Sequence, residues 1–311
     1  MHQEKLIMMV TNDNSLLANV LDALFTPYKT RVPDVAKVNA AMISRGIIEN
    51  ESQIINDHIA FRTLGVPHLG IASFEKIFLH YGYEKRDYYF FEGKKLNAYW
   101  YAPPSEEYPR IFMSELRVAD LSEKAQQIIH AYTKHITSDP VDAIDLNDAQ
   151  AVGDFFHKAL WQLPSIEDYQ NLAEESEYAA WVIHNRYYLN HYTISVHEFT
   201  EEFNTIEKFN TFLESEGISL NTAGGKIKTS PDGLLKQSST IAKMVEAEFS
   251  GGQKMEIAGS YVEFAERLVL PEFRSLEPNS IQRKHRRDGF ESANADKIFE
   301  STYSEQTGSI K

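Results

Sequence analysis

Asn56-Asp57-His58-Ile59-Ala60-Phe61-Arg62-Thr63 and Asn190-His191-Tyr192-Thr193-Ile194-Ser195-Val196-His197 are the two stretches on which the reading of this chain turns. Each is led by an asparagine, reaches a histidine and continues as alternating apolar and polar residues, the pattern of a strand with one buried face. A helical run with a glycine at its end follows each, over 73–82 and over 205–217. Strand-like segments come next: 83–91, 96–102 and 110–118 in the first half, and a hairpin pattern over 221–233 with a closing strand over 259–267 in the second. Strand, helix and several strands, twice over, predicts an α+β fold in which two copies of one unit carry both histidines into a shared cleft.

On this reading the chain divides into a helical cover over 1–53, a first unit over 54–118, a helical insertion over 119–188, a second unit over 189–270 and a tail over 271–311 with a short helix, all in one catalytic domain. In the cover, Leu16, Leu17, Val20, Leu21, Leu24 and Phe25 recur at helical spacing, Pro27 is expected to interrupt, and a second run follows Pro33. The insertion, with helical segments at 121–136 and 149–160, is expected to wall or buttress the cleft. Its Asp142, Asp145, Asp148 and Asp154 read as a solvated face and helix starts, since a calcium loop needs oxygen ligands and a glycine in a fixed short order. Gly224-Gly225-Lys226 lacks the leading glycine and the Lys-Ser/Thr pair of a phosphate loop and reads as a turn.

The 311 residues, 42% of them hydrophobic, suffice for a full core. Lys and Arg number 31 against 45 Asp and Glu, a formal charge of -14 that argues against nucleic acid or an anionic membrane as the main partner. An anionic substrate would then need a local positive group, either a buried Arg or a metal. Cysteine is absent, so any metal must be held by His, Asp or Glu. The opening MHQEKLIMMVTNDNS has a short apolar patch without a basic leader, no later run reaches spanning length, and the expected compartment is the cytoplasm. The pattern leaves the oligomeric state open.

His58, His191 and Glu263 are the candidate metal ligands. Two imidazoles and one carboxylate on a rigid sheet occupy one face of an octahedral ion and leave three positions open, which suits Fe(II), with Zn, Ni or Mn as other occupants. A lone strand histidine is more often a hydrogen-bonded core residue; the repeated start singles these two out. His197, six residues past His191, would lie on the same face but about 20 Å further along a regular strand. Glu266 points away from the face of Glu263. Glu115, taken as the first-unit counterpart of Glu263, is a candidate fourth ligand that would favour Zn or Ni and isomerase-like or lyase-like chemistry; Arg117 beside it offers a structural pairing instead. Arg62, four residues past His58 on the same face, could fork onto a substrate carboxylate, and Arg267, at the same spacing from Glu263, is a second candidate. His68, His80, His130, His135, His157, His184 and His285 receive no role.

Taken together, Asp57-His58-Ile59-Ala60-Phe61-Arg62-Thr63, Asn190-His191-Tyr192-Thr193 and Gly259-Ser260-Tyr261-Val262-Glu263-Phe264-Ala265-Glu266-Arg267 resemble the 2-oxoadipate dioxygenase/decarboxylase family, also called hydroxyglutarate synthase. The paired units are similar, more broadly, to the vicinal oxygen chelate superfamily, and the closing Glu-x-x-x-Arg strand to that of 4-hydroxyphenylpyruvate dioxygenase. The resemblance reaches the tail, through Arg287-Asp288-Gly289-Phe290 and Asn294-Ala295-Asp296-Lys297. It implies two βαβββ units forming a curved mixed sheet around a metal cleft, with His58, His191 and Glu263 holding iron and Arg62 gripping the 2-oxo acid. The implied reaction takes 2-oxoadipate, or a related 2-oxo acid, and O2 to 2-hydroxyglutarate and CO2. The loops that would read the distal carboxylate are not matched, so the exact acid stays open. Two other readings stand beside it: a non-oxidative metal-dependent isomerase, hydrolase or lyase, and a metal-free module that binds a small acid.

Overall fold

The computed structural model describes residues 16–308. Two helices, α1 (Leu16–Arg31) and α2 (Pro33–Ser44), lead into a first unit of β1 (Asn56–Leu64), α3 (Ile71–His80), β2 (Glu84–Phe91), β3 (Leu96–Ala102) and β4 (Arg110–Leu116). Four helices follow: α4 (Glu123–Thr133), α5 (Ala149–His157), α6 (Ile166–Glu175) and α7 (Glu177–Asn185). The second unit is β5 (His191–Ser195), α8 (Ile206–Ser215), β6 (Lys228–Thr229), β7 (Leu235–Ser239) and, after a separate hairpin of β8 (Met244–Glu248) and β9 (Lys254–Ala258), β10 (Tyr261–Arg267). Helices α9 (Ser292–Phe299) and α10 (Ser304–Thr307) close the described chain.

The sheet order, β2-β3-β4-β1-β5-β10-β7-β6, makes the duplication explicit. In each half the first strand lies parallel to the last, β1 beside β4 and β5 beside β10, and the halves join antiparallel through β1 and β5. His58 stands opposite Arg110 and His191 opposite Tyr261. Counting forward from those two pairs makes Phe112 the first-unit counterpart of Glu263, and Glu115 the counterpart of Glu266. The expected pairing of Glu115 with Glu263 is therefore corrected.

Glu115 and Glu266 in fact share one task. Each accepts a hydrogen bond of 2.8 Å from the first backbone N–H of its own unit's helix, Ile71 in α3 and Ile206 in α8. A carboxylate suits that position because the first N–H groups of a helix lack intrahelical partners and carry the positive end of its dipole. Gly70 makes room for it: its φ is 83°, and a Cβ there would overlap the Glu115 carboxylate. Arg117, the other partner considered, pairs with Asp120 at 2.6 Å instead. Glu115→Ala is expected to cost about 1–2 kcal/mol of stability in chemical denaturation. Bound metal per chain should be unchanged, whereas a fourth ligand would lose it.

Alternation along the strands sends Phe61, Tyr192 and Phe264 to one face of the sheet and His58, Arg62, His191 and Glu263 to the other. The first face is sealed by helices. Phe61 packs on Phe74 and Phe78 of α3 and on Phe156 of α5, Tyr192 on Phe25 and Tyr28 of α1, and Phe264 on Phe209 of α8. The second face is covered by α7, α9 and the segment before α9, as the contacts below show.

Three local expectations are corrected. Pro27 does not interrupt α1, which runs through it because Leu24 and Tyr28 on either side are buried in the core; the ring costs the one helical hydrogen bond to the Ala23 carbonyl. The strand opened by His191 stops at Ser195, and a 3-10 turn over Val196–Glu198 takes His197 out of register with the ligands. The β8–β9 hairpin, whose turn uses Gly251 and Gly252 at φ 72° each, has no first-unit equivalent and was not anticipated. The stretch preceding Leu16, whose apolar patch was weighed as a leader, lies outside the described residues.

Candidate metal centre

His58 on β1, His191 on β5 and Glu263 on β10 converge across the seam between the two units. One ligand atom from each lies within 4.8 Å of the others, and all three side chains are buried. His191 Nε2 is 2.9 Å from Glu263 Oε2, and His58 Nε2 is 3.5 Å from Glu263 Oε1.

The residue before each histidine decides which ring nitrogen faces the cleft. Asp57 Oδ1 lies 2.8 Å from His58 Nδ1, and Asn190 Oδ1 lies 3.0 Å from His191 Nδ1. Both oxygens accept, so the ring protons sit on Nδ1 and the Nε2 lone pairs turn inward, the arrangement that a histidine ligand requires. The Thr193 hydroxyl, 3.0 Å from His58 Nε2, can donate to that lone pair. Among the described residues nothing donates to His191 Nε2, which faces a carboxylate oxygen, one acceptor against another. A proton or a cation between them resolves the conflict, and a divalent ion fits the donor set of two neutral imidazoles and one carboxylate.

Electrostatics agree with that reading. Burial pushes the Glu263 carboxyl up, but His58 and His191 beside it outweigh this and bring it down to about 2. Burial pushes both histidines down; at His58 the facing Glu263 and the bonded Asp57 reverse the direction and raise it, while His191 stays lowered. Glu263 Oε1 also accepts a 2.6 Å hydrogen bond from Gln237 of β7, whose own amide oxygen accepts from Asn294 of α9 at 3.0 Å.

Asp57 anchors a buried ion-pair network behind His58. The Arg267 guanidinium grips it through Nε at 2.6 Å and Nη2 at 2.8 Å, and Arg110 Nη1 approaches at 3.4 Å. Burial would raise the Asp57 carboxyl, yet the two guanidiniums hold it well below the usual carboxylate range. Arg267 Nη1 also donates to the carbonyls of Arg287 and Gly289. That occupancy corrects the substrate-binding role expected of Arg267: its fork is spent on Asp57, behind His58.

Arg62 shares the sheet face of His58 but is not among the residues that line the cleft, and 1% of its surface is exposed. Its guanidinium donates to Thr302 Oγ1 at 2.9 Å and to the Phe299 carbonyl at 3.0 Å, and it lies over the rings of Tyr178 and Trp181 of α7. Among the described residues no carboxylate stands within ion-pair distance of it, and its Nε has no partner. His197 is not drawn in: its Nδ1 accepts from the Arg267 backbone.

The cleft wall is completed by Phe112 of β4 and by Phe290, Ala295, Ile298 and Phe299 from the tail. Phe290 stands edge-on to His58, ring centroids 4.8 Å apart, and Phe112 packs on Phe290 at 4.9 Å. None of these residues, nor Gln237 or Asn294, received a role from the sequence, although Phe290, Asn294 and Ala295 fall in the tail motifs quoted above. Asp57 and Asn190 also went without a role, although an oxygen-bearing residue directly before each repeated histidine was in plain view.

A family model described as 2-oxoadipate dioxygenase/decarboxylase matches residues 20–277. A curated relative from Arabidopsis thaliana, named 2-oxoadipate dioxygenase/decarboxylase, chloroplastic, is 43% identical over 303 residues, covering 94% of this chain and 79% of the relative. One from Oryza sativa subsp. japonica, with the same enzyme name and the words chloroplastic/amyloplastic, is 45% identical over 263 residues, 81% of this chain and 70% of the relative. The crystal structure of hydroxyglutarate synthase in complex with 2-oxoadipate from Oryza sativa superposes with a TM-score of 0.83 at 41% identity, covering 92% of each chain. The plastid names overturn the expected cytoplasmic compartment; composition and charge do not encode an organelle. Family model, relatives and fold agree, and the chain belongs to the 2-oxoadipate dioxygenase/decarboxylase family.

Proposed function

We propose that the chain is an Fe(II)-dependent dioxygenase that converts 2-oxoadipate and O2 to 2-hydroxyglutarate and CO2, with His58, His191 and Glu263 as the metal ligands. The observation that carries the proposal is the acceptor-only cluster of two inward Nε2 atoms and one carboxylate. The relatives' names and the 2-oxoadipate in the rice structure support the substrate. Bound iron would supply a chelation point for the 2-oxo acid and the redox chemistry that activates O2.

The protein's own part is positioning and exclusion of water. Asp57 and Asn190 keep the ring protons on Nδ1. Phe112, Phe290, Ile298 and Phe299 dry the cleft, which strengthens every charge interaction inside it. Arg62 is a buried cation without an anion, a costly arrangement that a substrate carboxylate relieves with a charge-assisted fork. Arg62→Gln is therefore expected to raise KM for 2-oxoadipate by about 10–100-fold while metal content stays at the unsubstituted level. Equal loss of metal would remove Arg62 from the substrate role.

The deciding experiment is anaerobic loading with Fe(II) followed by a panel of 2-oxo acids at an oxygen electrode. One O2 consumed per 2-oxoadipate, with a hydroxy acid one carbon shorter as product, is the expected result. Turnover of the acid without oxygen uptake would favour the non-oxidative reading, and failure to bind any divalent metal would favour the metal-free module.

A further inference from the structure

Two copies of one unit ought to offer four inward positions to a metal at their seam, one from the first strand and one from the last strand of each. Three are filled by ligands. Strand register identifies the fourth: Phe112 stands two residues past Arg110, the partner of His58, as Glu263 stands two residues past Tyr261, the partner of His191. Phe112 is buried and lines the cleft with all three ligands.

We infer that Phe112 is a specificity-determining residue which keeps the fourth ligand position apolar and so leaves the metal three exchangeable sites. The inference rests on the metal-site reading above and goes beyond it to a residue that touches no metal. The count decides the chemistry. An octahedral ion with three protein ligands can take a bidentate 2-oxo acid and one further small molecule; with four it has room for the acid alone. The ring has a second effect, since it packs on Phe290, which in turn stands against His58, and so holds a dry wall over the ligand.

The rest of the duplication supports reading this difference as specific. Two other pairs of equivalent positions keep their tasks: Asp57 and Asn190 each accept from a histidine Nδ1, and Glu115 and Glu266 each hold the start of a helix. At Phe112 the equivalence breaks, from a carboxylate in one copy to an aromatic ring in the other.

The test uses Co(II), whose visible absorption reports coordination number, on the full chain, on Phe112→Glu and on Phe112→His. The histidine variant brings a neutral donor and avoids burying a charge in the metal-free protein. Unsubstituted protein should bind one Co(II) per chain, and 2-oxoadipate should shift its spectrum. In either variant Co(II) should bind at least about tenfold tighter. Its spectrum should already differ before substrate is added, and added metal should raise the melting temperature by more than it does in the unsubstituted protein. Unchanged affinity and spectrum in both variants would overturn the inference while leaving the three-ligand site intact. Absence of Co(II) binding by the unsubstituted protein would instead overturn the metal-site reading. Phe112→Leu, apolar but smaller, should keep the unsubstituted spectrum; a change there as large as in the histidine variant would also count against the inference.

Discussion

Glu263→Gln should purify folded, with metal content below about a tenth of an equivalent and turnover reduced more than about a thousandfold. The substitution keeps the shape of the side chain, and Gln237 can still donate to the new amide oxygen as it donates to Glu263 Oε1. What disappears is the negative charge that balances a divalent ion among buried imidazoles. His58→Ala should give the same loss by removing an inward lone pair. Metal analysis paired with oxygen uptake on 2-oxoadipate reads both effects, and retained turnover in either variant would end the case for this centre.

Asp57→Ala is expected to be strongly destabilising, by about 3–5 kcal/mol, because it strands the buried Arg267 guanidinium and removes one of the two carboxylates beside Arg110, which keeps Asp288 at 2.6 Å. Arg267 has 1% of its surface exposed and Arg110 has 3%, so neither can turn to water for compensation. For a chain of this size the melting temperature should fall by about 5–8 °C. Metal affinity should drop about 10–100-fold as well, since His58 loses the oxygen that orients it. Asp57→Asn separates the two duties. Asn190 already shows that an amide oxygen can hold a histidine's Nδ1–H, so this variant should keep metal close to the unsubstituted affinity while losing most of the ion-pair stability. Denaturant titration with and without metal distinguishes them; equal stability of all three proteins would mean the network contributes nothing.

The duplicated strands and helices were legible because periodicity and turn residues are local: β3 falls at 96–102 as expected, and β2, β4 and β10 differ only at their ends. His58, His191 and Glu263 were legible as a set because each lies on a strand whose start or end repeats. What was lost depended on pairing. Whether Glu115 or Phe112 matches Glu263 is a question of register, which two parallel ladders decide and no single strand announces. The fork of Arg267 was open on paper because its partner Asp57 lies 210 residues away. The cover over the cleft went unplaced for the same reason: the tail helix that carries Phe299 was expected, but only the fold brings Phe290 to His58 and Phe299 to Arg62.

That tail has a bearing on biogenesis. The three candidate ligands are all synthesised by residue 263, yet most of the wall over their cleft and the carbonyl that meets Arg62 come from residues 290–299. A chain still emerging from the ribosome could thus bring the three side chains together in open water, exposed to whichever cation arrives first, before α9 packs over them. Loading and closure become separable events, and selection among divalent ions can fall in the interval between them.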